Sequence, residues 1–186
     1  LSLFSTDRDW EVMAGAEPFW AVATWDKFRK ENLTPANVDE FFQTGESYVE
    51  AIFQIIRQHV DPTFGKPERT LDFGCGVGRV LLPLARRSNR AVGVDVSPTM
   101  LQEARKQADH FGLRNVDLIQ GDDSLSAVEG PFDFVHSVIV FQHIPVRRGE
   151  ALLGEILRRT KPGSIGAIQL TYGKSFEPMR PTLGSR

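Results

Sequence analysis

Hydrophobic and polar positions change their period along the chain, and the changes mark out elements. Val49, Ile52, Phe53, Ile55 and Ile56 recur at helical spacing and predict a helix from about Ser47 to His59. Ser47-Tyr48-Val49-Glu50 has the pattern of a capping box at its start. A loop with Asp61-Pro62 and Gly65-Lys66-Pro67 follows. Short apolar runs at Thr70–Phe73, Arg90–Val96, Asn115–Gln120, Phe132–Val138 and Ile165–Tyr172 predict five strands. Helical patterns at Arg79–Arg87, Thr99–Phe111 and Val146–Thr160 alternate with them. Pro83 is compatible with its helix only near the first turn. Ser97-Pro98 supplies an N-cap and a first-turn proline, and Gly112 a stop. Strands alternating with helices predict an α/β fold with a mainly parallel sheet between two helical layers.

Residues 1–46 lack this alternation. They contain all three tryptophans, Trp10, Trp20 and Trp25, with Phe19, Phe28, Phe41 and Phe42. This segment is expected to be a helical extension whose aromatics pack on the sheet, or a lid over a ligand. Within it, Phe41-Phe42-Gln43-Thr44-Gly45-Glu46 joins rings to a glycine just before a predicted helix, so Phe42, Thr44 and Gly45 are candidates for ligand contact. The expected organisation is an extension over 1–46, a strand–helix domain over 47–173 and an irregular tail over 174–186.

Composition narrows the picture little. The 186 residues suit one domain, and 41% hydrophobic with 25% charged residues is ordinary for a globular protein. A formal net charge of −2 argues against a general electrostatic grip on nucleic acid. No nucleic-acid and no membrane partner is therefore expected. No apolar run is long enough to span a bilayer and no secretory signal is evident, so cytoplasm is the expected compartment. The single cysteine, Cys75, excludes an internal disulfide.

The chemistry is concentrated at Asp72-Phe73-Gly74-Cys75-Gly76-Val77-Gly78-Arg79. A strand that ends in a glycine turn and feeds a helix makes a ligand cradle at the carboxyl edge of a parallel sheet. A dinucleotide site wants G-x-G-x-x-G, and Arg79 stands where its last glycine belongs. No Gly-Lys-Ser/Thr follows, so a phosphate loop is also excluded. Asp95 ends the second strand, where nucleotide sites place an acid that accepts from both ribose hydroxyls. Cys75 reads as a small residue packed near the ligand and not as a nucleophile. His143 is the titratable group after the fourth strand, suited either to accept a proton near neutral pH or to order its loop. His136 reads as a satisfied core or groove residue, and His59 and His110 as helix-end surface residues. Arg147, Arg148, Arg158 and Arg159 read as solvated faces. No cluster demands a metal.

The ordered set of Asp72-x-Gly74-x-Gly76-x-Gly78, Asp95, Asp122, the segment through His143 and Lys161-Pro162-Gly163 resembles the class I, Rossmann-like S-adenosylmethionine-dependent methyltransferases over residues 69–172. The resemblance implies S-adenosylmethionine as cofactor, S-adenosylhomocysteine as product and a small-molecule substrate. It implies cofactor contacts at Asp72, Gly74, Cys75, Gly76, Gly78, Asp95 and Val96. Asp122 matches the position that accepts from the adenine amine, with Asp123 as a second candidate. Ser137 and Val138 lie where the methionine part is held. His143 is the candidate catalytic base, and Phe141 and Gln142 are candidates for the substrate mouth. The segment after the fourth strand lacks the Asn/Asp-Pro-Pro-Tyr/Phe pattern of many nucleobase and glutamine methyltransferases.

The family normally completes a seven-stranded sheet with a helix and an antiparallel hairpin. Gly173–Arg186 is too short for them, so a truncated or shortened chain without that hairpin is expected. An uncovered strand edge invites association of copies through strand pairing. Two other classes stay open: a non-catalytic cofactor-binding or assembly domain, and a nicotinamide-dependent oxidoreductase on a related sheet.

Overall fold

The computed structural model describes residues 6–170. Five strands form one parallel sheet in the order β3-β2-β1-β4-β5. They are β1 (Arg69–Phe73), β2 (Arg90–Asp95), β3 (Val116–Gln120), β4 (Phe132–Ser137) and β5 (Thr160–Ile168). The order reverses between β1 and β4, which opens the crevice beyond their carboxyl ends where such sheets bind ligands. The Rossmann-like α/β expectation is borne out. The predicted tail 174–186 and the end of the last predicted strand, Thr171-Tyr172, lie outside the described residues.

Alternation along the strands decides what covers each face. Leu71, Phe73, Val92, Val94 and Val135 point to one side, where Leu152 and Ile156 of α6 (Val146–Arg158) pack on them with Leu125 and Val128. Ala91 points to the other side, under Leu81, Leu82 and Ala85 of α4 (Leu81–Arg87) and Met100 and Ala108 of α5 (Pro98–His110). Phe134 shares a cluster with Val49, Phe53 and Ile56 of α3 (Pro35–His59). Thr70, Asp72 and His136 are polar members of the strands, all fully buried or nearly so.

The N-terminal segment consists of α1 (Thr6–Ala16), α2 (Pro18–Val22) and two short 3-10 turns, Asp26–Phe28 and Lys30–Asn32. Phe19, Phe28, Phe41 and Phe42 meet edge to face with ring centroids 5.0–6.3 Å apart and dock on the α4–α5 side.

Three local readings are corrected. The predicted helix start at Ser47, and with it the domain boundary at 46/47, falls inside α3, whose N-cap is Thr34 accepting from the Asn37 amide at 3.2 Å. Ser47–Glu50 matches a capping box in pattern only. The apolar face extends back through Val38, Phe41 and Phe42, and Pro35 supplies the first-turn proline. Lys161-Pro162-Gly163 does not precede the last strand but lies within β5. There the pairing passes from Phe132↔Thr160 to Phe134↔Ile165, and Gly163 takes φ +81° in the bulge. Pro83 sits in the first turn of α4, and Ser97 caps α5 by accepting from the Met100 amide at 3.1 Å, both as expected.

Candidate active site

The β1–α4 loop is shaped by backbone. Gly74, Gly76 and Gly78 take φ +75°, +53° and +91°. A Cβ on Gly74 would lie 2.2 Å from Cγ2 of Val140, so this position excludes side chains twice over, by conformation and by space. The amides of Gly74 and Cys75 donate to the carbonyl of Val94 at 2.7 and 3.0 Å, which holds the loop against the end of β2. Asp95 completes the tie: its carboxylate accepts from the Gly76 amide at 2.8 Å and the Ser97 amide at 3.0 Å. Burial nevertheless pushes its pKa above the usual carboxylate value, against the pull of those amides.

Above this loop lies a cavity of about 640 Å³, within the range of small-molecule sites, roughly 300–1,000 Å³. Gly74, Gly76, Asp95, Val96, Asp122 and Thr44 line one part of it. Trp10, Met13, Trp20 and Trp25 close it from the N-terminal segment, and Val138, Ile139, Gln142, His143 and Ile144 from the stretch after β4. Of the sequence candidates, these nine, Gly74, Gly76, Asp95, Val96, Asp122, Thr44, Val138, Gln142 and His143, are brought together around one space.

The others are not on its wall. Cys75 is buried against a second, small cavity of about 40 Å³ that also touches Asp72, Gly74 and Arg79. Burial holds its thiol well above the ordinary range, so no thiolate is available. Gly78 packs over Leu82. The Ser137 hydroxyl donates to the Phe73 carbonyl at 2.9 Å and is buried there. Phe42 belongs to the aromatic core and not to a lid, because α3 continues through it. Gly45 is spent on packing: a Cβ there would sit 1.8 Å from the Arg79 carbonyl oxygen, so only glycine lets α3 approach the loop so closely. Asp123 is outside the cavity and bonds to the Arg148 guanidinium at 2.6 Å. Asp122 borders the cavity, but its carboxylate also accepts from the amides of Ser124 and Ser126 at 2.9 and 3.0 Å and from both their hydroxyls. Those bonds hold its pKa far below the usual value, the signature of a turn-capping carboxylate.

Four residues, Arg148, Arg159, Tyr48 and Arg79, have roles that were not legible in the sequence. Arg148, read as part of a solvated face, lies on the cavity wall and clamps α1: its guanidinium meets both oxygens of Asp7 at 2.7 Å and the Thr6 hydroxyl at 3.0 Å. That bidentate pair lowers the Asp7 pKa and raises that of Arg148. Arg159 is likewise not a solvated group, since it donates to the carbonyls of Val128, Ser124 and Leu125 at 2.8–3.0 Å. Tyr48 and Arg79 flank the buried acid Asp72. Asp72 and His136 are register partners on adjacent strands, and Asp72 Oδ1 lies 2.7 Å from His136 Nδ1. His136 Nε2 lies 3.2 Å from the Tyr48 hydroxyl. Asp72 Oδ2 and Arg79 Nε are buried without a hydrogen-bond partner, at a cost on the order of 1–3 kcal/mol each.

The fold is that of a Rossmann-like α/β domain, and comparison with known proteins gives the family. The pattern of the "Methyltransferase domain" family matches residues 70–163. The chain therefore belongs to that family, within the class I S-adenosylmethionine-dependent methyltransferase superfamily, and the nicotinamide oxidoreductase alternative is set aside. It is 35% identical over 109 residues to the 2-heptyl-1-hydroxyquinolin-4(1H)-one methyltransferase of Mycobacteroides abscessus, covering 58% of this chain and 48% of that one. It is also 35% identical over 137 residues to the 23S rRNA (uracil(1939)-C(5))-methyltransferase RlmD of Shewanella sediminis, covering 73% of this chain and 29% of that one. Among solved structures, the PH0226 protein of Pyrococcus horikoshii matches with TM-score 0.55 and 26% identity, over 66% of this chain and 56% of that one. The chain thus spans about a third to a half of the length of these curated relatives. The likeness to an RNA methyltransferase overturns the expectation that nucleic acid is excluded as a partner. Net charge reports on the whole surface and says nothing of a local or neighbouring nucleic-acid contact. Among the described residues no helix is long and apolar enough to cross a membrane.

Proposed function

We propose that this chain binds S-adenosylmethionine on the β1–α4 loop and directs its methyl group to a small, largely apolar and aromatic acceptor held under α1. One observation carries the reading. A single cavity runs from Gly74, Gly76 and Asp95 to Trp10, Trp20, Trp25 and His143. The cofactor and acceptor ends therefore share one continuous space.

The residues fit the cofactor. Gly74 and Gly76, both at positive φ, bring bare loop backbone to the cavity wall. Asp95 holds the loop with two amides and retains acceptor capacity for ribose hydroxyls. Asp72 Oδ2, buried and unpartnered beside the loop, is a seat for an ammonium, and Arg79 for a carboxylate. Bound sulfonium supplies an activated methyl group with a neutral leaving group. The chain's own task is to orient the acceptor, exclude water and, for a hydroxyl acceptor, hold a base near the acceptor proton. The tryptophan-lined wall does the first two. His143, on the wall and packed edge to face on Trp10 with centroids 5.0 Å apart, is assigned the third.

The aromatic lining and the likeness to the hydroxyquinolone methyltransferase both support a small aromatic acceptor. The RlmD likeness favours a second reading, an RNA acceptor. The deciding assay supplies labelled S-adenosylmethionine with a panel of hydroxylated fused-ring aromatics in one arm and a ribosomal RNA transcript in the other. The proposal expects label in the aromatic arm, reduced about 10²–10⁴-fold by His143→Ala if the histidine is the base. Label in the RNA arm alone would make the second reading the correct one. Saturable cofactor binding without transfer to either would favour a cofactor-binding domain that has no acceptor of these kinds.

A further inference from the structure

We infer that Tyr48 and His136 form a buried relay that positions Asp72 to grip the amino-acid arm of the cofactor, making them positioning residues for its affinity. The inference rests on the cofactor cradle proposed above and deepens it.

The argument begins with register. Parallel pairing sets Asp72 opposite His136, and both side chains leave the sheet on the face covered by α3. They are 2% and 1% exposed, so neither has water as an alternative partner. A carboxylate only accepts, so the 2.7 Å contact between Asp72 Oδ1 and His136 Nδ1 places the ring proton on Nδ1. With that proton on Nδ1, Nε2 faces the Tyr48 hydroxyl at 3.2 Å, which donates to it. Burial raises the Tyr48 pKa, which keeps that donor proton in place. The phenol thus fixes the imidazole tautomer, and the imidazole fixes one carboxylate oxygen.

The other oxygen is left over. Asp72 Oδ2 is buried without a partner, and so is Nε of Arg79, which reaches the same small cavity from the glycine loop. Arg79 feels the Asp72 charge and stacks within 5.8 Å of the Tyr48 ring. A buried acid and a buried guanidinium, each with an unused polar atom, are matched to a zwitterion: an ammonium for Asp72 and a carboxylate for Arg79. The small cavity shares Val22, Gly74, Arg79, Val138 and Ile139 with the large one, so one ligand can occupy both. Without the relay, Asp72 is free to rotate away from the loop, and the seat for the ammonium is lost.

The test compares two ligands by calorimetric titration: S-adenosylhomocysteine, which carries the amino-acid arm, and 5′-methylthioadenosine, which does not. The wild type, Tyr48→Phe and His136→Leu are titrated with both. Wild type should bind the first more tightly. His136→Leu should weaken S-adenosylhomocysteine about 10–50-fold and Tyr48→Phe about 3–5-fold, on the scale of charge-assisted and neutral hydrogen bonds. Both should leave 5′-methylthioadenosine within about twofold, a selectivity that loss of structure alone cannot produce. Tyr48→Phe keeps the ring packing on a half-buried helix face, so it decides the matter if His136→Leu does not fold. An unchanged affinity ratio in a folded variant would overturn the relay. A wild type that binds both ligands equally would remove the amino-acid seat, and one that binds neither would overturn the cradle reading itself.

Discussion

The cavity has two halves built on different principles. The half over the glycine loop is made of strand ends and backbone: Gly74 and Cys75 bond to Val94, Gly76 bonds to Asp95, and little there can move without breaking the sheet. The half under α1 is made of side chains from separate elements, joined through long-range polar contacts. Arg148 of α6 clamps Asp7, and Glu11 of α1 accepts from the hydroxyls of Ser97 and Thr99, both at 2.5 Å. A backbone-defined site tolerates few changes and holds a constant ligand. A side-chain-defined site can be reshaped without cost to the fold, and it is where acceptor choice is expected to reside.

The comparison can be broken most forcefully at Gly74. Gly74→Val forces a β-branched residue into positive φ against Val140. It is expected to weaken cofactor binding at least about 100-fold or to destabilise the domain by several kcal/mol. Titration paired with thermal unfolding separates the two effects. Next in size is Asp95→Ala, which removes the acceptor and orphans two loop amides; a loss of about 10–100-fold in cofactor affinity is expected from calorimetry.

On the other half, Trp10→Ala should raise the acceptor KM about 5–20-fold, because it removes an aromatic wall. It should leave cofactor affinity within about twofold. Steady-state kinetics with each substrate varied in turn would show a loss confined to one of them. Equal loss on both would mean that the halves are coupled.

Smaller effects follow from pH. Asp95 must be ionised to accept two hydroxyls, and its folded pKa lies above the ordinary 3.8. Cofactor affinity should therefore begin to fall at a higher pH than an unperturbed aspartate dictates, and Asp95→Asn should flatten that fall. Asp7 shifts the other way: its pKa is lowered by Arg148, so the clamp contributes fully above the unfolded value near 3.8 and is lost only as pH falls further. Because 43% of the Asp7 side chain is accessible to solvent, the worth of the pair is no more than about 1 kcal/mol. The acceptor half should thus stay clamped across the range in which Asp95 titrates. Acceptor KM measured against pH in acid checks this.

The same contrast explains what the sequence disclosed. The glycine turn and Asp95 are local: a carboxylate at a strand end and glycines at alternate positions carry their meaning in a few adjacent residues. The acceptor half depends on contacts between residues far apart in the chain. Arg148 looks like any surface arginine until α1 is placed beside it. The tryptophans drew notice as a group, but their role needs the packing of α1 and α2 over the sheet. At Phe42 and Gly45 local reasoning went astray, because the Ser47–Glu50 pattern suggested a helix start where α3 was already running. His136 was rightly read as a satisfied residue, but its partners, Asp72 and Tyr48, follow from strand register and helix docking, neither of which is written locally.

The most direct test of the two-part account is calorimetric titration of S-adenosylhomocysteine into the wild type, Asp95→Ala and Trp10→Ala, each first shown to be folded. The account predicts saturable one-site binding to the wild type, a loss of about 10–100-fold in Asp95→Ala and a change within about twofold in Trp10→Ala. Absence of binding to the folded wild type, or equal weakening in both variants, would contradict it.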